Sequence, residues 1–196
     1  MYPIILASSS PRRQEILKLM NIPFVVNPAN IEESYPSDMK CEKVAEYLAV
    51  KKVKAVMDSG SSEMESTWIL GADTIIILDG KIYGQPKSQD EAYSFLQEFQ
   101  GKVHKVMTGI ALYNPESKKI VSKLCTSKVT FAQMSSEEIE WYLSTGEWHG
   151  AAGGYRIQGL ASCFIKTISG TETAVMGLPM FDLYDILKSQ NYSFIS

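Results

Sequence analysis

Three features of the sequence predict an α/β or α+β fold. Apolar runs of strand length (Pro3–Ala7, Phe24–Val26, Trp68–Leu70, Ile75–Leu78) alternate with stretches whose apolar residues recur at helical spacing. Turn signals, Asp79-Gly80 above all, join some of the strands as hairpins, so part of the sheet is antiparallel. The chain has 196 residues, 45% of them hydrophobic, enough to bury a core in one domain or two closely fused lobes.

Taken in order, Pro3–Ala7 reads as a buried strand that runs straight into a helix. Ser10 is the expected N-cap, Pro11 suits the first helical position, and Ile16, Leu17, Leu19 and Met20 form the apolar stripe. Asn21 and Pro23 end that helix before the strand Phe24–Val26. Residues 27–37 read as a loop carrying Glu32 and Glu33. From about Met39 to Met57, Val44, Ala45, Leu48, Ala49, Ala55 and Val56 keep helical spacing, with Lys51, Lys52 and Lys54 in the last turns. The polar stretch Asp58–Glu63 reads as a loop.

Farther along, Ile75–Leu78 and Lys81–Tyr83 flank the Asp79-Gly80 turn. Ser88 caps a helix that Gly101 closes, and two long strands, Val103–Tyr113 and Ile120–Phe131, surround the turn 114–117. Ser135 and Glu138 form a capping box for a helix stopped by Gly146. The segment 147–159, with the glycine-rich run 150–154, has glycines dense enough to let backbone approach a ligand, a flexible loop being the plainer alternative; Ser162–Ile168 reads as a strand and Leu178–Lys188 as a closing amphipathic helix.

Composition narrows the function classes. A net charge of −3 lacks the basic excess of a general nucleic-acid binder. Cys41, Cys125 and Cys163 are odd in number and far apart, which suits reduced, packed thiols rather than disulfides or zinc ligation. The start Met1-Tyr2-Pro3 carries no basic n-region, and no run reaches the length of a membrane span. The expectation is a cytoplasmic chain that binds neither nucleic acid nor membrane.

Several segments have chemistry of their own. The turn Ser8-Ser9-Ser10-Pro11-Arg12-Arg13 offers helix N-terminal amides, hydroxyls and two guanidiniums suited to phosphate; an ordinary capped helix with solvated arginines is the plainer alternative. Asp73 interrupts an apolar strand in Gly71-Ala72-Asp73-Thr74. A carboxylate buried there needs a partner or a metal, unless the segment is a bend. Glu32, Glu33 and Lys52 are unremarkable singly, but with Asp73 they supply oxygen ligands for Mg²⁺ and cations for phosphate. The segment 147–159 lacks the Gly-x-Gly-x-x-Gly pattern, and the chain has no P-loop, which disfavours simple ATPase and dinucleotide readings. His104 and His149 have no ligand-spaced neighbours and read as structural or surface residues.

In sequence order, Leu6–Arg13, Ile31-Glu32-Glu33, Lys51–Ala55, Gly71–Thr74, Val106–Gly109, Ala152–Gly159 and Val175–Pro179 resemble the Maf family of nucleotide pyrophosphatases over nearly the whole chain. The resemblance implies a single α/β domain over residues 1–196, a mixed twisted sheet with flanking helices and two lobes around a central cleft, and in many members a homodimer. It also implies cleavage of the α–β phosphoanhydride of a nucleoside triphosphate with Mg²⁺ or Mn²⁺. Asp73 matches the general base. Arg12, Arg13, Glu33 and Lys52 match phosphate and metal positions, with Glu33 and Asp73 near the ion and Ser8 and Ser10 helping to hold the triphosphate. Arg12, Thr74 and Gln158 match positions tied to substrate choice in the branch acting on dTTP and UTP. Where that branch commonly carries lysines, this chain has Gln85 and Ala151, leaving Lys81, Lys87 and Arg156 as substitutes. The alternative is a non-catalytic nucleotide-binding regulator linked to septum formation in cell division.

Overall fold

β1 (Ile4–Leu6) is fully apolar, and it lies parallel to β2 (Phe24–Val26) on one side and β3 (Trp68–Leu78) on the other. The computed structural model describes residues 1–60 and 66–194, so residues 61–63 of the expected loop Asp58–Glu63 lie outside them. The seven strands run in the order β2-β1-β3-β5-β6-β7, with β4 (Lys81–Tyr83) paired antiparallel to β3. β5 (Val103–Asn114) and β6 (Lys119–Phe131) are neighbours, and β7 (Ile165–Ser169) runs antiparallel to β6. With helices flanking this mixed sheet, the α/β expectation holds. No helix of the described residues is long and apolar enough to cross a membrane.

The chain divides into two compact units, and the first comprises Met1–Asp73, Thr108–Cys125 and Gly177–Ser196. Its helices are α1 (Pro11–Leu19), α2 (Cys41–Asp58) and the closing helix, α6 (Met180–Ser189). α2 buries Val44, Ala45, Leu48, Ala49, Val53 and Val56, with Ala49, Val53 and Val56 packed among Ile5, Ile69, Ala111 and Tyr113; Ala55, expected on this face, is only half-buried, and Val53 joins it instead. Two glycines set how close α2 comes. A Cβ on Gly71 would collide with the Ala49 carbonyl and the Val53 side chain, and one on Gly109 with the Ala45 carbonyl. Backbone, not a flexible side chain, is the obstacle at both places, so the helix lies directly on β3 and β5.

The second unit comprises Thr74–Met107 and Thr126–Met176. It holds α3 (Gln89–Phe99), α4 (Ser136–Ser144) and α5 (Glu172–Met176). Asp79 and Gly80 both have positive φ, 50° and 80°, the type I′ geometry that an Asp-Gly pair favours. The Ser88 hydroxyl accepts from the Glu91 amide, and Ser135 with Glu138 forms the full capping box. The core gathers Tyr83, Phe95, Phe99, Phe131, Tyr142 and Tyr155. His104 lies inside it at 1% exposure, stacked on Phe99 at 4.5 Å, with Nε2 2.7 Å from the Tyr155 hydroxyl.

Some boundaries differ from expectation. Residues Leu160–Phe164 form a 3₁₀ turn, so the last strand begins at Ile165 rather than Ser162. Local bonds win there: the Ser162 amide donates to the Gly159 carbonyl and its hydroxyl to the Ile157 carbonyl. Ala152–Gly154, for which a flexible loop is the plainer alternative from sequence, is a 3₁₀ turn whose Gly153 amide donates to the Gly84 carbonyl at 2.8 Å. Leu19, placed on the apolar stripe of α1, is 72% exposed.

Replacing Gly71 or Gly109 with alanine is expected to destabilise the protein by about 1–3 kcal/mol, read as a lower urea midpoint with little change in slope. A second expectation concerns His104, whose burial pushes its pKa down to about 4. The unfolded chain takes up the proton near the ordinary histidine range, while the folded chain resists until about 4. Stability therefore falls as pH drops through that window, by about 3 kcal/mol in all, and is level above it. His104→Phe should remove this part of the slope in urea titrations across that pH range.

Candidate functional site

β1 delivers the chain into the turn 8–10, tied to β3 by the Ala7 amide donating to the Leu70 carbonyl at 2.8 Å. α1 begins at Pro11, as expected, but Ser10 makes no side-chain capping bond. Ser8 instead makes side-chain bonds within this turn, though they do not cap α1. At 8% exposure its hydroxyl accepts from the Ser10 amide at 3.3 Å and from Arg13 Nη1 at 2.8 Å. Arg13 Nε donates to the Gly177 carbonyl at 2.9 Å. The guanidinium is thus gripped from both ends of the sequence. Burial pulls it below its ordinary range, with Asp73 and Glu33 pulling it back, and a guanidinium keeps its charge under such influences. Arg12 is half-buried beside it on the first turn of α1.

Asp73 stands within β3, an unbroken strand, and not at a bend. Its side chain is 8% exposed. Facing it from α2 is Lys52, whose side chain is only 9% exposed although a lysine late in a helix normally reaches water. Lys52 Nζ lies 2.6 Å from Asp73 Oδ1 and 2.6 Å from Glu33 Oε1. Burial raises the Asp73 carboxyl above the usual carboxylate range, and the attraction of Lys52 and Arg13 only partly offsets it. Glu33 is 58% exposed, on an irregular segment with no strand or helix to hold it. Lys51 supplies the hold: its Nζ donates to the Glu32 carbonyl at 2.8 Å and the Ser34 carbonyl at 3.0 Å.

Of the nine residues singled out in the sequence, Ser8, Ser10, Arg12, Arg13, Glu33, Lys52 and Asp73 belong to the first unit, and Thr74 and Gln158 to the second. Within the first, direct contacts join Glu33, Lys52 and Asp73, and separately Ser8, Ser10 and Arg13. Thr74 is half-buried and, one residue past Asp73, faces the other side of the strand; Gln158 is exposed. Lys51 and the Gly177 carbonyl act as supports that no local pattern marks, although both lie in segments carrying the resemblance. Lys81 is engaged by Glu98 at 2.9 Å, and Arg156 donates to the His149 carbonyl at 2.6 Å.

This arrangement can grip an anion with Arg13, offset charge with Lys52 and offer a carboxylate whose proton affinity is raised. A family model for Maf-like proteins matches residues 3–190. The chain belongs to the Maf family. Relatives of the Maf chain extend over nearly its full length. A dTTP/UTP pyrophosphatase of Pelotomaculum thermopropionicum is 38% identical over 193 residues, 98% of this chain and 99% of that one. One of Hydrogenovibrio crunogenus is 41% identical over 187 residues, 95% of each. Among solved structures, the Staphylococcus aureus Ham1 protein aligns at a TM-score of 0.47 and 15% identity over 66% of this chain and 72% of its own, a likeness too distant to carry an argument. In this Maf chain the motif residues Arg13, Glu33, Lys52 and Asp73 act electrostatically as one group.

Removing Lys52 tests that coupling. Lys52→Met should destabilise the protein by about 3–5 kcal/mol near neutral pH, because Asp73 is left buried without its cation. The penalty should shrink on acidification, since a protonated Asp73 no longer needs one. Urea midpoints at about pH 8 and about pH 5 check this; equal losses at both would contradict it.

Proposed function

We propose that this chain hydrolyses nucleoside triphosphates of the dTTP and UTP type between the α and β phosphates, giving the nucleoside monophosphate and pyrophosphate. The observation that carries the reading is the buried Asp73–Lys52 pair beside Arg13, in a Maf chain whose full-length relatives are named dTTP/UTP pyrophosphatases. The turn 8–13 holds the triphosphate through backbone amides, Ser10, Arg12 and Arg13, while Ser8 fixes the Arg13 guanidinium. Asp73 takes a proton from the water whose oxygen bonds to the α-phosphorus; the bond from that phosphorus to the bridging oxygen breaks, and pyrophosphate leaves with the electron pair. Lys52 and Arg13 offset the charge that develops.

Glu33 and Asp73 present the hard carboxylate oxygens that Mg²⁺ or Mn²⁺ prefers, although both contact Lys52. An ion held by them together with the phosphates would polarise the phosphoryl oxygens and ease departure of pyrophosphate. Thr74 and Gln158 are assigned to the base. A cytoplasmic homodimer completes the reading, supported by the odd number and wide spacing of the three cysteines for the compartment and by the family likeness for the pairing.

The decisive measurement is product analysis with dTTP and UTP. Monophosphate plus pyrophosphate is expected; diphosphate plus orthophosphate would sink the proposal, and binding without turnover would favour a regulator. Asp73→Asn should lower kcat by about 10²–10⁴-fold. In the unsubstituted enzyme kcat/KM should fall as pH drops through the Asp73 range, which burial places above that of an ordinary carboxylate, because the base must be unprotonated. A pH profile whose acid limb stays at the ordinary carboxylate position would remove Asp73 as the base.

A further inference from the structure

We propose that Lys52 is the resident cation of this site, filling the space between Glu33 and Asp73, and that a divalent ion binds there only together with the triphosphate. The inference rests on the functional reading for the identity of the nucleotide, but its geometric basis is independent. Lys52 Nζ lies 2.6 Å from an oxygen of each carboxylate, so one ammonium bridges both. A divalent ion bound to the same two oxygens would need metal–oxygen distances of about 2.0–2.6 Å. It would have to stand where the ammonium stands, and two cations do not share that space.

The donor set points the same way. Among the described residues no grouping of three or more His, Cys, Asp or Glu could hold a metal ion. The two carboxylates that do converge face Lys52 and feel the charge of Arg13. An incoming ion would therefore have few ligands and little uncompensated negative charge. Small hard ions are commonly held by one or two carboxylates plus substrate phosphates rather than by a cage of protein groups. A triphosphate supplies both missing parts. Its oxygens complete the ion's ligands, and they give the ammonium, on its flexible four-carbon stem, somewhere else to go. Glu33, exposed and on an irregular segment, can turn towards the ion, while Asp73 is fixed in its strand.

The test measures Mn²⁺ retained with the protein on ultrafiltration, without turnover as a readout. The unsubstituted protein should retain little Mn²⁺ alone. With a UTP analogue carrying a methylene in place of the α–β bridging oxygen, retention should tighten at least about tenfold, and analogue binding should tighten by the same factor when Mn²⁺ is added. Lys52→Met should bind Mn²⁺ alone at least about tenfold more tightly than the unsubstituted protein, and adding Glu33→Gln should cancel that gain. Should Lys52→Met lower the folded fraction, the titration is run in trimethylamine N-oxide, which favours the compact state. Tight Mn²⁺ binding by the unsubstituted protein alone, or no gain in folded Lys52→Met, overturns the proposal. The metal-alone titrations decide the role of Lys52 whatever the nucleotide does. Failure of the analogue to bind under any condition would instead defeat the functional reading.

Discussion

A lysine ammonium held between two carboxylates, one of them inside a β-strand, is the interaction on which the rest of this site depends. Asp73 sits in a strand whose other residues are nearly all apolar, and burial alone would drive it to the neutral form. Lys52 is desolvated as well, and its pairing with Asp73 does not in general repay both losses: apolar replacements of such pairs are often neutral or stabilising. The neighbours of Lys52 on α2, Ala49 and Val53, show that apolar side chains are accommodated on this same helix face. Stability is therefore a poor reason for this pair to exist, and chemistry a good one.

That pair imposes a distance on the backbone. Lys52 reaches Asp73 only because α2 lies hard against β3, and this closeness is set by Gly71, two residues before Asp73, and by Gly109 on β5. The remaining supports act from the periphery. Ser8 fixes Arg13 from within the same turn, whereas the Gly177 carbonyl fixes it across a sequence separation of 164 residues. Lys51 ties down residues 32–34, so that adjacent lysines divide the labour: one anchors the segment bearing Glu33, and the other meets its carboxylate.

What could be read in the sequence was local. The Asp79-Gly80 hairpin, the Ser88 cap and the Ser135–Glu138 box depend on a few neighbouring residues, and each formed as its chemistry dictates. The apolar spacing of α2 likewise gave its buried face. The misses have several physical causes. Ser10 looks like a cap by position, but its side chain makes no capping bond to α1. Lys52, singly, looks like a solvated lysine late in a helix, although its spacing from Leu48 and Val56 puts it on the buried face of α2, where it meets Asp73. The short helix Glu172–Met176 has too few residues to show a period and went unread. The family motifs brought Glu33, Lys52 and Asp73 together as candidates, but did not give the position of Lys52 between the two carboxylates.

That position bears on how a chain with a net charge of −3 attracts a polyanion. The four charges at the centre, Arg13 and Lys52 against Glu33 and Asp73, cancel, so long-range steering by this group is weak. On the proposed function, attraction then comes at short range, from the turn 8–13 and from the cation that the nucleotide brings. A free triphosphate would also meet two carboxylates at close quarters, a repulsion that a divalent ion in the proposed complex would turn into ligation. The same neutrality protects the resting site: with its carboxylates occupied by Lys52, it has little hold on stray metal, and its charges are released for new partners only by a ligand that carries both phosphate and cation.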